Sequence, residues 1–197
     1  CGTVEHGARA RLEAALAQQR AAAHLLDRQE PGKAVAISQE AQRAGEADLE
    51  VARDPNLKLQ AAAEVASCAL LEALAAAKAG KNAERAFDRA VAVAATPRGA
   101  ACARLQRGRF LASLATTQKR RELRVRDLAT AASGLRESDP QVAAAAAREL
   151  AAFVDAPGDL LLAVRALALT ENDGALLTAT AKRLLAGPRH GDEEGAA

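Results

Sequence analysis

Apolar residues recur at helical spacing along almost the whole chain, and prolines cut the pattern into pieces. Leu12, Leu16, Ala23 and Leu26 form one stripe over residues 4–29, the three-and-four spacing of an amphipathic helix. Pro31-Gly32 breaks it, and a more polar helical pattern follows over 33–53. Residues 56–79 are strongly apolar and stop at Gly80, a residue suited to the left-handed position just past a helix end. Further helices are predicted over 82–95, 99–117, 119–135, 141–155, 159–170 and 175–186, with Pro157-Gly158 as the break between 141–155 and 159–170. Asp54-Pro55, Thr96-Pro97 and Asp139-Pro140 each set a capping oxygen before a proline. Proline tolerates the first helical position, where its missing N–H is not needed, so all three read as helix starts. They lie 42 and 43 residues apart, the length of one long helical hairpin.

Composition agrees with helix throughout. Of 197 residues, 55 are Ala, the best helix former, and the aromatics are limited to Phe87, Phe110 and Phe153. A core of that kind needs helices packed close together, because Ala faces hold little volume. The expected fold is all-α. The expected domain plan is a tether over residues 1–7, a single helical-repeat domain over 8–187, and an acidic flexible tail over 188–197.

The repeat family is suggested by particular residues. Leu135-Arg136-Glu137-Ser138-Asp139-Pro140-Gln141-Val142, followed by Ala143 to Ala147, Arg148 and Leu150, resembles a HEAT repeat. Asp54-Pro55-Asn56-Leu57-Lys58-Leu59 with Ala61 to Ala63 is similar, and Thr96-Pro97 and Asp173-Gly174 are weaker versions. The basic residue that usually follows the apolar one is Lys58 in one copy, whereas Ala143 stands there in the other. Gly80, Ala83, Phe87 and Ala90 resemble instead the turn and second helix of a tetratricopeptide repeat. The resemblance spans residues 33–187 and implies stacked antiparallel helix pairs that bury one continuous core: a right-handed alpha-alpha superhelix of about four helical hairpins plus an N-terminal helix.

Cys1 followed by Gly2 is the form of a mature bacterial lipoprotein. That reading expects a covalent lipid on Cys1, and Gly2 resembles the class exported to the outer membrane, on its periplasmic face. Each buried CH₂ of an acyl chain is worth about 0.8 kcal/mol, and two or more chains anchor stably. A tether of this length reaches on the order of 20 Å at about 3.4 Å per residue. No stretch of eighteen uncharged apolar residues occurs, so attachment is expected through the lipid and not through a span. With Cys1 lipidated, Cys68 and Cys102 remain. A bridge between them and two buried thiols are the alternatives.

Mapped along the chain, the formal charge of +2 is uneven: −1 over residues 1–97, +7 over 98–137 and −4 over 138–197. Within the basic block, Arg104 and Arg107 share one helix face, and Arg120 and Arg124 share another, with Arg121 beside them. These five arginines are the candidate partner-binding residues. Aromatic residues for base stacking are nearly absent, which argues against nucleic acid.

Nothing else in the sequence carries chemistry. His6, His24 and His190 lie at no metal-ligand spacing from one another or from Cys, and no nucleophile elbow or phosphate loop occurs. The chain is expected to be no enzyme and to need no metal or cofactor beyond the lipid. The leading reading is a lipid-anchored envelope scaffold that binds a protein partner. A structural accessory subunit of a larger membrane-associated machine and a cytoplasmic nucleic-acid-binding repeat protein are the alternatives.

Overall fold

The computed structural model of the chain describes residues 2–134, 139–170 and 173–187, with side chains from Arg9 onward. Among these residues the fold is all-α: nine helices and no strand. They are α1 Gly2–Asp27, α2 Pro31–Val51, α3 Pro55–Lys78, α4 Glu84–Ala92, α5 Pro97–Ala112, α6 Gln118–Ser133, α7 Pro140–Ala151, α8 Pro157–Leu167 and α9 Gly174–Leu185.

The proline logic holds further than the sequence reading took it. Asp54 accepts a hydrogen bond from the backbone N–H of Asn56 at 2.9 Å, and Asp139 accepts from Gln141 at 2.9 Å. Thr96 Oγ1 accepts from the N–H of Gly99 at 3.0 Å. Each satisfies one of the N–H groups that a helix leaves unpaired at its start. Pro31 and Pro157, read as breaks, are themselves the first residues of α2 and α8. Residues 2–7, expected as a tether, are helical from Gly2 onward, and Cys1 and residues 188–197 lie outside the described residues.

Helix ends follow backbone chemistry. At the end of α3, the N–H of Lys81 donates to Ala76 at 3.0 Å and that of Gly80 to Ala77 at 3.1 Å, with Gly80 at φ +68. This pair of bonds closes a helix when the residue after the cap is left-handed, which glycine adopts without strain. Gln29 does the same after α1 at φ +62, with Glu30 donating to Leu25 at 2.9 Å. There a side chain stands where glycine would be relaxed.

The chain divides into two compact units, Cys1–Arg107 and Gly108–Ala197. In the first, α3 packs on α1, α2 and α4, and α1 packs on α2. By length and composition α3 could cross a membrane, but half of its apolar window is buried within the fold. It is the central helix of this unit. Its neighbours come close: a Cβ at Gly45 of α2 would lie 2.8 Å from Val65 Cγ2. The core is mostly alanine, with Ala69, Ala90 and Ala103 in one cluster and Ala34 and Ala75 with Leu26 in another.

In the second unit α7 packs on α6 and α8, α8 on α9, and α6 on α8. Leu128, Leu150 and Leu167 are its largest fully buried side chains. At Gly108 a Cβ would sit 2.8 Å from Leu128 Cδ2, so α5 approaches α6 closely at that point. Arg183 of α9 ties the end of α7, donating to the carbonyls of Ala151 at 2.5 Å and Val154 at 2.6 Å and to Asp155 at 2.6 Å.

Candidate functional site

The five arginines singled out in the sequence fall in both units. Arg104 and Arg107 lie on the part of α5 that belongs to the first unit. Arg104 is half-buried. Arg107 is turned inward: its side chain is 9% exposed and its Nη1 donates to Asp88 Oδ1 of α4 at 2.7 Å. A buried cation with such a partner holds helices together and offers little to an outside ligand.

Arg120, Arg121 and Arg124 occupy the first two turns of α6, in the second unit. All three line one hollow of about 290 Å³, together with Leu111, Ala112, Thr116 and Phe153. No acidic side chain is in that lining. Arg121 is exposed and Arg120 is half-buried, with its Nη1 donating to the carbonyl of Ala115 at 3.0 Å. Helical spacing brings Arg120 and Arg124 to the same face, as their i, i+4 relation predicts.

Arg124 is the most constrained of the three. Its guanidinium carbon lies 4.0 Å from the centroid of the Phe153 ring, a cation–π contact. Its Nη2 is 3.6 Å from Glu149 Oε2, while the other oxygen of Glu149 accepts from Arg109 Nε at 3.1 Å. Burial pulls the Arg124 guanidinium below its ordinary pKa, and Glu149 acts in the opposite direction. An arginine stays charged through such a shift. The side chain is 19% exposed, so the charge is largely desolvated but still faces the hollow.

Sequence reasoning missed Phe153, Thr116 and Glu149. Only Phe153 carried a signal, being one of three aromatics in the chain. No local spacing rule links it to Arg124, because the two meet through the packing of α6 against the end of α7.

The two cysteines within helices are not bridged to each other. Cys68 is buried and its thiol donates to Glu64 Oε1 at 3.4 Å. Burial pushes that thiol up to about 12, with the Glu64 carboxyl adding to the shift, so thiolate chemistry is suppressed at neutral pH. Cys102 is half-buried. His24 lies in the last turn of α1, while the His6 side chain and His190 are outside the described residues. Among the described residues no group of three or more His, Cys, Asp or Glu side chains could hold a metal ion.

Glu64 gives a pH prediction. Burial raises its carboxyl above the ordinary 4.5, partly offset by the Cys68 hydrogen bond. A folded-state pKa above the unfolded one means that the native state holds the proton more tightly. The stability it contributes is therefore full below the unfolded value and is lost as pH rises through the folded one. Glu64→Gln should lose that dependence, so its stability relative to the parent should improve as pH rises from 4.5 to neutrality. Urea unfolding at a series of pH values reads it; a parent that gains on the variant with rising pH would refute the assignment.

No family model matches the chain, and neither a curated protein nor a solved structure matches it. The functional reading therefore rests on the residues themselves.

Proposed function

We propose that this chain is an interaction module of the helical-repeat kind, a right-handed superhelix of stacked hairpins that holds an acidic protein partner. The observation that carries it is the gathering of Arg120, Arg121 and Arg124 around one hollow free of acidic lining. Charge of one sign at a concave surface attracts and orients a partner of the other sign. The absence of aromatic platforms around it, Phe153 apart, favours a protein over single-stranded nucleic acid.

The repeat reading is supported by the recurrence of capped Asp-Pro and Thr-Pro starts at α3, α5 and α7. The ion pair between Arg148 of α7 and Asp173, just ahead of α9, is a contact of the sort that neighbouring repeats make. Stacked hairpins present extended surfaces, and the functions attached to that shape are mostly recognition. Charge reversal of Arg120, Arg121 and Arg124 tests the proposal, read as loss of partner binding.

A further inference from the structure

Three arginines packed among the helices of the second unit are matched. Arg109 donates to Glu149, Arg148 pairs with Asp173, and Arg183 is satisfied by two carbonyls and Asp155. Arg124 differs. Its ion pair with Glu149, at 3.6 Å, is longer than a hydrogen bond, and its Nε is buried without a hydrogen-bond partner. A guanidinium presents five N–H donors in a fixed fork, and leaving a buried one unmatched is costly. Stacking on Phe153 holds the fork in place at the edge of the hollow. Arg120 and Arg121 bring two further positive charges to the same space, and Thr116 a hydroxyl. Leu111, Ala112 and Phe153 make the remaining wall apolar.

We propose that this hollow is a binding site for a phosphate monoester that carries an apolar group on its ester oxygen. Three guanidiniums and a hydroxyl suit a dianion with three equivalent oxygens better than a carboxylate, which offers two oxygens and one charge. Arginine forks bind phosphate oxygens in pairs, and the apolar wall takes the ester substituent. About 290 Å³ holds more than a bare phosphate ion, so the substituent has room. The start of α6 is already capped, with Thr117 Oγ1 accepting from the N–H of Arg120 at 3.3 Å, so the site is made by side chains. The site shares its arginines with the partner-binding reading but does not depend on it, since a small probe and the purified chain suffice to test it.

Phenyl phosphate titrated calorimetrically into the full chain should bind saturably at one site, at least about tenfold more tightly than benzoate, as one lost charge-assisted pair predicts. Its affinity should fall as pH drops through about 6, where the dianion takes up one proton and becomes the monoanion. Arg121 is exposed, so Arg121→Gln leaves the fold alone and should weaken binding about tenfold. Arg124→Lys keeps the charge, loses the fork and should weaken it comparably. Vesicles of phosphatidylcholine with and without phosphatidic acid separate the two sources of such a group. Retention only on phosphatidic acid, released by phenyl phosphate, marks a lipid headgroup; phenyl phosphate binding with no retention on vesicles marks a soluble organic phosphate. Either supports the site. No saturable binding in either arm, benzoate binding as tightly, or full affinity in both variants would overturn it.

Discussion

Phe87→Ala lowers the stability of the first unit by about 3–5 kcal/mol, the cost of emptying a large aromatic site in a packed core. Phe87 is 1% exposed and is the largest fully buried side chain. It sits on α4, a helix of nine residues, too short to persist without tertiary packing. The core beside α4 contains Ala69, Ala90 and Ala103. Alanines have no rotamers to swing into a void, so they relieve little of the cost of a cavity. Urea unfolding followed by circular dichroism reads the loss. Leu59→Ala, at a leucine that is 56% exposed, serves as the control and should stay within about 0.5 kcal/mol of the parent. A Phe87→Ala midpoint indistinguishable from that of the control would mean that α4 does not anchor this core.

Reversing Arg120, Arg121 and Arg124 to Glu should reduce affinity for the acidic partner by about a hundredfold or more, the scale on which desolvated charge pairs contribute at interfaces. The three positions are not equal. Arg121 is exposed, so its reversal should change association and salt dependence, whereas Arg124 is held by Phe153 and Glu149 and its reversal should change dissociation. A Glu at position 124 would also face Glu149, so the double variant Arg120→Glu/Arg121→Glu separates loss of binding from loss of fold. It should keep the parent's helical signal and still lose most of the affinity. The parent's affinity should fall with rising salt and that of the double variant should respond less. Unchanged affinity in the double variant would move the contact surface elsewhere.

Much of the fold was legible because its rules are local. Asp54, Thr96 and Asp139 announce helix starts through capping bonds that the structure contains. Gly80 announces the end of α3 through a conformation few other residues adopt. Pro31 and Pro157 were read only as breaks, although the same chemistry that ends one helix opens the next. Gln29 could not be foreseen at φ +62, since nothing in a glutamine marks it for the left-handed region.

The site was legible only in part, because it depends on contacts across helices. The i, i+4 relation placed Arg120 and Arg124 together, but the identical reasoning on α5 gave Arg107, which the fold turns inward onto Asp88. A helical repeat tells which residues share a face; it does not tell which face meets solvent when both carry arginine and alanine. Phe153, Glu149 and Thr116 entered from other segments, each far in sequence from Arg124 or outside its helix.

On the proposed function, a partner protein sits on the arginine surface of α6. The most direct measurement installs a photo-reactive residue at position 121 in the source cells, with position 58, exposed on α3, as the comparison. A discrete protein adduct is expected from position 121 that is absent from position 58 and does not form when a cell extract is irradiated in high salt. No adduct from 121, or the same adducts from both positions, would contradict it.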